Sequence, residues 1–384
     1  MLDLQITNAL LLNLSTGKET LSDVGIRNGR IAEITESGAS GSGSASAARS
    51  VFDAEGNYLF PGFVDFHTHL FRHGSTFGMD ADLLLSAGVT AAADMGSAGW
   101  VNFPALYCCD LLGKTPRISA FLNISPVGQP GRGIAEPLDD GLMAPEEMKR
   151  LLREYPGVIT GLKVRLSRGI VRELGIRPLE NAVRLGEELG LSVCVHTTDP
   201  PVSMDRIAAM LRPGDIMSHT YQGQGHTSAE SEEVLSGMLE AKARGVLMEV
   251  GNGSKNFNFL TGERCLEAGL TPDIISSDAT PTVFHNSPAM WDLPRVVSKF
   301  VNLGVPLTDC IRAVTETPAK VLGMDHVIGK IAPGYEADLA VFRNDSEIIA
   351  FCDSDGNERK GPLGLTPLAT FLKGQLVWNS RDLS

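Results

Sequence analysis

The stretch LFPGFVDFHTH (59–69) is an apolar run that ends in two histidines. It is rich in aromatic and aliphatic residues, a composition typical of a buried strand. Similar strand-like runs follow along the middle of the chain, at 89–95, 117–124, 158–166, 191–196, 215–219, 246–251 and 273–278. Together with the first run, at 60–67, they predict eight buried strands.

Helical patterns lie between most of these runs. They include PEEMKRLLREY (145–155), PLENAVRLGEELG (178–190) and AESEEVLSGMLEAKARG (229–245). Proline near the start and glycine just past the end of such segments commonly mark helix boundaries. Eight strands that alternate with helices over roughly 220 residues predict an α/β fold of the (β/α)8 barrel type. On pattern alone, a doubly wound open sheet is the competing architecture.

The two ends of the chain differ in character from the middle. Short strands are predicted near both ends of the chain. They are LQITNALLL, DVGIRNGRIAEI and SVFDAEGNYLF near the start, and ADLAVFR, EIIAFC and ATFLKGQLVW near the end. We therefore expect one small β domain made from residues 1–58 and 330–384, and a barrel domain of residues 59–329. The Gly/Ser/Ala-rich stretch SGASGSGSASAARS (37–50) predicts a flexible excursion between strands.

The composition is that of an ordinary globular protein, with 43% hydrophobic and 21% charged residues. The formal net charge of −13 disfavours contact with phosphate backbones and anionic lipid, so we expect no nucleic-acid and no membrane partner. The six cysteines include no Cys-x-x-Cys pair, which indicates free thiols in a reducing compartment. The first residues contain no basic leader, and no apolar run reaches membrane-helix length. These observations together predict a cytoplasmic protein.

In a parallel barrel the active site lies at the carboxyl ends of the strands, so the residues that end each run are informative. The first run ends in His67-Thr68-His69, whose two imidazoles point the same way on an extended chain. Later runs carry Lys163, His196, His219 and Asp278. Each of these residues alone has a simpler interpretation, as a hydrogen-bonded polar residue or a helix cap. However, four of the eight histidines fall at the ends of three predicted strands, and this coincidence indicates a metal site.

Lys163 lies within the apolar run GLKVRL, where it faces either the barrel interior or the helix layer. Burial of an ammonium group is costly, so an interior lysine tends to lose its proton. A neutral amine can add carbon dioxide, and a carboxylated Lys163 would be an anion with two oxygens, suited to bridge two divalent cations. The alternative is a lysine that extends past the helices to solvent.

These residues resemble the two-metal pattern of the amidohydrolase superfamily. PGFVDFHTH is similar to its first-strand signature, and Lys163, His196, His219 and Asp278 match the rest of the pattern in order. GNYLFPGFVDFHTH resembles the passage from a small β domain into the barrel, and TPAKVLGM…GKIAPGYEADLAVF resembles the return, so the likeness covers nearly the whole chain. It implies a (β/α)8 TIM-type barrel with a small β-sandwich domain formed by both chain ends.

The resemblance also implies two divalent metal ions, with zinc expected. His67 and His69 would bind the more buried ion, with Asp278 beside it. His196 and His219 would bind the more exposed ion, and the carboxylated lysine would bridge both. The hypothesis for the reaction is attack of a metal-bridging hydroxide on a substrate carbonyl, with Asp278 as the catalytic residue that carries the proton to the leaving group. Manganese, iron or cobalt would suit such ligands as well.

Within the superfamily the chain resembles the dihydroorotase-like group, including its deacetylase branch. Dihydroorotases carry an arginine two residues after the second histidine and a histidine just after the last aspartate, where this chain has Phe71 and Ala279. These departures argue against dihydroorotate itself and leave open a small, open-chain acylated substrate. We expect a hydrolase that cleaves an amide C–N or ester C–O bond, such as a deacetylase. The alternatives are a cyclic amide hydrolase of dihydroorotase or hydantoinase type, a deaminase, and a non-catalytic relative.

The candidate substrate contacts are Arg72, His73, Arg165, Tyr221, Gln222 and Asn252. Arg72 could hold a carboxylate with two hydrogen bonds, but a surface salt bridge is an equally open interpretation. Arg165 lies two residues after Lys163 on the same strand face, where it could hold substrate or balance the carbamate. A homo-oligomer remains possible on the sequence alone.

Overall fold

The computed structural model describes residues 1–37, 47–131, 133–286, 288–345 and 347–380. The strands are β1 Leu2–Leu12, β2 Glu19–Arg27, β3 Arg30–Glu36, β4 Ala48–Asp53, β5 Tyr58–Pro61, β6 Phe63–Thr68, β7 Val89–Gly99, β8 Arg117–Asn123, β9 Ile159–Arg165, β10 Ser192–His196, β11 Ile216–Ser218, β12 Leu247–Gly251, β13 Ile274–Ser276, β14 Leu339–Asp345, β15 Ile349–Cys352, β16 Glu358–Gly361, β17 Gly364–Leu372 and β18 Gln375–Asn379. Most of the stretch predicted as a flexible excursion, residues 38–46, lies outside the described residues.

The α-helices are α1 Phe103–Leu106, α2 Pro145–Glu154, α3 Arg168–Val171, α4 Arg177–Leu189, α5 Met204–Met210, α6 Glu232–Ala243, α7 Phe259–Glu267, α8 Leu293–Asn302, α9 Leu307–Ala313 and α10 Glu316–Val321. Helices α2, α4 and α6 confirm the three predicted helical segments. The glycine after α4, Gly190, has a left-handed φ of 67° and ends the helix. The Ser231 side chain accepts a hydrogen bond from the Val234 amide and caps the start of α6.

Eight parallel strands, β6 to β13, follow one another in sequence order around the barrel. Each overlaps one of the predicted runs. The last strand returns to the first, because the Asp278 amide donates to the His67 carbonyl oxygen at 2.8 Å and Thr68 forms a β-bridge with Ala279. This contact confirms the barrel and contradicts the competing open sheet, in which the first and last strands would lie apart.

The barrel strands are buried on both faces, which explains why they appear in the sequence as continuous apolar runs. Side chains that alternate along the strands, including Val64, Phe66, Met95 and Phe121, form one buried cluster. A larger buried cluster includes the opposite strand faces, with Phe63, Leu162 and Val195, and the helices that surround them. The interior is therefore filled by side chains, and a ligand has room only at the mouth of the barrel.

Both ends of the chain contribute to a second sheet of eight strands. Its order is β18-β17-β14-β5-β1-β2-β3, with β4 paired to β1. Strand β5 connects the two ends, because it pairs with β1 on one side and with β14 on the other. The segment EIIAFC forms a strand as expected, but β15 pairs with β16 in a separate two-stranded sheet.

The predicted first run, 60–67, is divided at Gly62. Strand β5 ends at Pro61 in the sheet of the chain ends, and β6 begins at Phe63 in the barrel. A Cβ atom at Gly62 would lie 2.1 Å from the Thr90 hydroxyl oxygen, so only glycine fits at this crossing point.

The cysteines at all six positions are free thiols, in agreement with the sequence-based prediction. Within the part of the chain that the structure describes, no helix combines the length and apolar character required to cross a bilayer.

Candidate metal centre and active site

The predicted metal ligands converge at the carboxyl ends of the barrel strands. They lie within, or one or two residues beyond, five different strands: His67 and His69 at β6, Lys163 at β9, His196 at β10, His219 at β11 and Asp278 at β13. Five of the six, all except His219, line one cavity of about 400 Å³. His219 adjoins this cavity, because its ring centroid lies 4.5 Å from that of His196 and 5.0 Å from that of His67.

The Asp278 carboxylate joins two of these histidines. Its Oδ1 atom lies 3.3 Å from Nε2 of His69 and 3.6 Å from Nε2 of His67. Its other oxygen, Oδ2, accepts a hydrogen bond of 2.6 Å from the Asn256 amide group. One donor atom from each of His67, His219 and Asp278 can be chosen so that all three lie within 4.8 Å of one another. Such a cluster of nitrogen and oxygen atoms is suited to a divalent cation.

His219 provides the clearest test of whether a metal fits. Its Nδ1 atom lies 2.9 Å from the Gly251 carbonyl oxygen, which can only accept a hydrogen bond. The ring hydrogen is therefore on Nδ1, and Nε2 carries a free lone pair. That Nε2 atom is buried and has no hydrogen-bond partner among the described residues. A buried nitrogen with an unused lone pair calls for an explanation, and a metal ion provides one.

His67 and His69 are oriented in a similar way. The Nδ1 atom of His67 lies 3.2 Å from the Ser218 hydroxyl, and that of His69 lies 3.0 Å from the Ser97 hydroxyl. Both rings thus contact a serine through one nitrogen and the Asp278 carboxylate through the other. This arrangement, with one nitrogen anchored and the other directed inward, is typical of metal-binding histidines.

The electrostatics of the cluster favour neutral imidazoles beside an ionised carboxylate. Burial lowers the pKa of His219 to about 3, and burial together with the His219 charge holds the pKa of His196 well below its usual value. Burial and the Lys163 charge also lower the pKa of His67. Burial alone would raise the pKa of Asp278, but the neighbouring His67 charge and the His69 hydrogen bond hold it below the ordinary range. Neutral imidazoles and ionised carboxylates are the protonation states that bind metals.

Two of the candidate ligands have a backbone conformation that side chains disfavour. His219 and Asp278 have φ angles of 64° and 53°, in the left-handed region. Each such residue costs on the order of 1–3 kcal/mol, and strain of this kind is concentrated at functional sites. In both cases the chain turns just after the strand end, next to the cavity.

Lys163 faces the interior of the barrel and does not reach solvent. Its side chain is 1% exposed, and its Nζ atom lies 3.7 Å from Sγ of the buried Cys194. A Cβ atom at Gly96 would lie 2.5 Å from Cβ of Lys163, so glycine leaves the space that the lysine occupies. Lys163 thus lines the same cavity as His67, His69 and His196.

Arg165 is the one candidate substrate contact that the structure places in this cavity. Its Nη1 atom donates to Glu136 Oε1 at 2.7 Å, while its Nε atom is buried and unpaired among the described residues. Arg165 and Phe77 also line a neighbouring cavity of about 650 Å³. The guanidinium group as a whole is partly exposed, and an arginine at this position could bind an anionic group of a ligand.

Three candidate substrate contacts, Tyr221, Gln222 and Asn252, are buried and do not line this cavity. The Tyr221 hydroxyl donates to the Leu270 carbonyl oxygen within the hydrophobic core. The Gln222 amide group donates to the His226 carbonyl oxygen. The Asn252 amide group donates to the Ala289 carbonyl oxygen. The polar groups of all three residues thus have partners inside the protein.

Arg72 and His73, two further candidate substrate contacts, lie on the surface and do not line the cavity. Their side chains are 60% and 61% exposed. Arg72 lies 3.5 Å from the Asp80 carboxylate, and His73 Nδ1 lies 2.6 Å from Asp110 Oδ1. Of the two interpretations of Arg72 that the sequence left open, the structure favours the surface salt bridge.

The sequence analysis missed three polar residues around the candidate ligands. Glu249 is fully buried in β12 behind His67, Asn256 holds Asp278, and Gln129 lines the cavity. Glu249 is a charged residue within the apolar run 246–251. A charged residue within an apolar run is also the signal that identified Lys163, so the same reasoning could have identified Glu249. Asn256 and Gln129 lie in loops, where no periodic pattern indicates the direction of a side chain.

Comparisons with known proteins agree with this fold. Two models of the amidohydrolase family match residues 50–97 and 179–377. A protein named Deacetylase Atu3266 from Agrobacterium fabrum is 30% identical over 310 residues, which cover 79% of this chain and 75% of that protein. A protein named Deacetylase from Enterococcus faecalis is 28% identical over 340 residues, which cover 88% of this chain and 91% of that protein.

Solved structures are similar over nearly the whole length. A crystal structure of a dihydroorotase matches with a TM-score of 0.88 and 25% identity, over 97% of this chain and 98% of the other. A crystal structure of an adenine deaminase matches with a TM-score of 0.87 and 25% identity, over 99% of this chain and all of the other. The same fold thus occurs in a dihydroorotase and in an adenine deaminase. The fold alone therefore does not identify the reaction of this chain, which has to be argued from the residues of the cavity.

Proposed function

This chain belongs to the amidohydrolase family, and from that premise we propose that it is a metal-dependent hydrolase that removes an acyl group, such as acetyl, from a small open-chain substrate. The observation that carries this proposal is the convergence of four histidines, a buried lysine and an aspartate on one cavity. The two relatives named deacetylases support the acyl specificity, since they are similar over 79% and 88% of this chain.

We assign two divalent cations, with zinc preferred, to the cluster of side chains at the mouth. One would be held by His67 and His69 with Asp278, and the other by His196 and His219. The free lone pair of His219 Nε2 and the low pKa values of the buried imidazoles support this assignment. When bound, such cations supply a Lewis acid for a substrate carbonyl and increase the acidity of a water molecule.

Lys163 is assigned as a carbamate that contacts both cations. Its burial beside Cys194 supports this role, because an ammonium group there is poorly solvated. We expect zinc-loaded protein prepared with 13C-bicarbonate to show a carbamate carbonyl signal in its NMR spectrum. The signal should be absent from Lys163→Met, and a wild-type protein without it would refute the carbamate.

Asp278 is assigned the proton transfers. Its Oδ1 atom faces the imidazoles, and its Oδ2 atom is fixed by Asn256, so the carboxylate is held in one orientation at the cavity wall. As an ionised base it can accept a proton from the attacking water and pass it to the leaving nitrogen or oxygen.

Arg165 is assigned to substrate binding. Its position on the cavity wall and its partly exposed guanidinium group support a charge-assisted contact with a carboxylate in the leaving part of the substrate. This assignment favours N-acyl amino acids or acyl esters of hydroxy acids as the substrate class.

The test combines metal analysis with a substrate panel. Metal-replete protein should contain stoichiometric divalent metal and should hydrolyse members of a panel of N-acetyl amino acids or acetyl esters of hydroxy acids. Turnover of cyclic ureides alone would replace the proposal with a cyclic amide hydrolase. Absence of both metal and turnover would indicate a non-catalytic relative.

A further inference from the structure

Glu249 is a fully buried carboxylate on strand β12, directly behind the candidate metal ligands. Its Oε2 atom accepts a hydrogen bond of 2.5 Å from the Ser218 hydroxyl and one of 3.3 Å from the His219 amide. Its Oε1 atom accepts from the Ser276 hydroxyl and lies 3.4 Å from Nδ1 of His67. Every contact is thus made to a residue of a neighbouring strand end or to a candidate ligand.

In the part of the chain that the structure describes, no lysine or arginine lies within ion-pair distance of Glu249. Among the described residues its ion-pair partner is the His67 imidazole alone. A buried carboxylate without a cation is costly to maintain, and hydroxyl donors offset that cost only in part.

The hydrogen bonds around Glu249 have a definite direction. An ionised carboxylate can only accept, so the Ser218 hydroxyl must donate its hydrogen to Glu249. The lone pairs of that hydroxyl are then available to Nδ1 of His67, which lies 3.2 Å away. The ring hydrogen of His67 is therefore stabilised on Nδ1, between two acceptors, and the Nε2 lone pair is left for the cavity.

We propose that Glu249 is a positioning residue that makes His67 an effective metal ligand. It fixes the tautomer of His67, and its negative charge strengthens the imidazole as a donor to a cation. Through the His219 amide it also stabilises the left-handed turn that carries the second imidazole, at φ 64°. One carboxylate thus organises ligands from two strands, β6 and β11. This inference rests on the metal centre proposed above, and Glu249 itself touches neither substrate nor reacting atoms.

The test is the zinc affinity of Glu249→Gln, measured on the full-length protein by competition with a chromophoric chelator. Glutamine keeps the volume of the side chain and removes its charge. We expect zinc affinity to fall about 10–100-fold, as is typical for residues behind a metal ligand. Without metal, the unfolding midpoint of Glu249→Gln should equal or exceed that of the wild type. The reason is that the metal-free wild type retains a buried charge with no cation to balance it, and the variant does not.

A matched control is Asp215→Asn, which removes another fully buried carboxylate. Asp215 precedes β11 at the opposite end of the barrel and pairs with Arg212 at 2.8 Å. This variant should lose stability and keep its zinc affinity. Wild-type affinity in Glu249→Gln, or an equal loss in both variants, would overturn the role of Glu249.

If Glu249→Gln does not fold, Ser218→Ala decides the question, because it retains the charge and removes the hydroxyl between Glu249 and His67. Weaker zinc binding in Ser218→Ala supports the proposal, and wild-type affinity overturns it. A wild-type protein that takes up no zinc would instead overturn the metal centre and this role together. Failure of the metal centre and failure of the Glu249 role are thus distinguishable.

Discussion

Asn256 donates a hydrogen bond of 2.6 Å to Asp278 Oδ2, while the Oδ1 atom of the same carboxylate faces His67 and His69. The amide itself is held in place, because its Oδ1 atom accepts a hydrogen bond of 2.7 Å from the Thr198 hydroxyl. Asp278 is therefore held from both sides, by imidazoles on one oxygen and by an amide on the other. A carboxylate that transfers protons needs a fixed orientation of this kind.

Removal of this contact by Asn256→Ala should reduce kcat about 10–100-fold with a smaller change in KM, because a buried hydrogen bond to a charged group contributes about 1.5–3 kcal/mol. The measurement is steady-state kinetics on the acylated substrate found in the panel. Asn258→Ala is the control in the same loop: Asn258 caps α7 and bonds to Asp355, so its loss should reduce stability and spare turnover. Equal kcat values for Asn256→Ala and the wild type would contradict the assigned role.

Asp278→Asn should lower kcat by orders of magnitude and leave substrate binding largely intact, because the amide keeps the shape of the carboxylate and cannot accept a proton at neutral pH. Kinetics and metal content should be measured on the same preparation, which separates loss of the base from loss of a ligand. Near-normal turnover in this variant would show that another group transfers the proton.

His196→Ala should lose bound metal and activity together. His196 is buried, and its ring lies 4.5 Å from that of His219, so its loss removes one of two adjacent nitrogen donors. The measurement is elemental analysis after dialysis, alongside turnover. His326→Ala is the control, since His326 is an exposed residue beyond the barrel strands and should keep both properties. Full metal content in His196→Ala would refute its assignment as a ligand.

Arg165→Gln should raise KM about 10–100-fold for acylated substrates that carry a carboxylate, and much less for acylated amines that lack one. The reason is the loss of a charge-assisted hydrogen bond. Arg72→Gln is the matched control, because Arg72 pairs with Asp80 on the surface and should not affect either KM. If KM rises equally for both substrate types, Arg165 maintains the shape of the cavity and does not bind the substrate carboxylate.

Lys299 should make the stability of the folded protein depend on pH. Burial lowers its pKa to about 7, whereas a lysine in the unfolded chain has a pKa of about 10.4. Between these values the unfolded state binds a proton that the folded state lacks, so the free energy of unfolding should rise with pH from about 7 to 10, by at most about 1.4 kcal/mol per pH unit. Below about pH 7 this contribution is constant.

The comparison variant is Lys299→Met, with urea unfolding measured across this range. Lys299 donates to Asn252 Oδ1 and to the Ala289 carbonyl oxygen, so the variant should be less stable at every pH. Its pH profile should nevertheless be flatter than that of the wild type. Two parallel profiles would show that Lys299 keeps the same protonation state in both the folded and the unfolded protein.

The barrel and the candidate metal ligands could be predicted from sequence because both depend on local regularities. A buried parallel strand is a continuous apolar run, and its last residues project towards the mouth, so the order of residues alone was enough to place His67, Lys163 and His196 there. The division of this run between the two sheets at Gly62 could not be predicted from the sequence, because the apolar residues continue on both sides of that glycine.

The substrate contacts could not be predicted, because the direction of a side chain in a loop depends on tertiary contacts. Arg72 and Tyr221 both follow strand-end histidines by a few residues, yet one lies on the surface and the other in the core. The ion pair of Arg165 with Glu136 joins residues far apart in sequence, and nothing local to either residue indicates it. Asn256 is missed for the same reason.

The hydrogen bond from the Asp278 amide to the His67 carbonyl oxygen lies at the seam where the last barrel strand meets the first. Two of the candidate ligands thus stand on opposite sides of this seam, separated by most of the polypeptide. Until the end of β13 contacts β6, these two ligands are not held beside each other, however many of the other strands have docked. Binding of the cation would therefore stabilise the closed barrel, and the protein would become active as a hydrolase only after the barrel has closed.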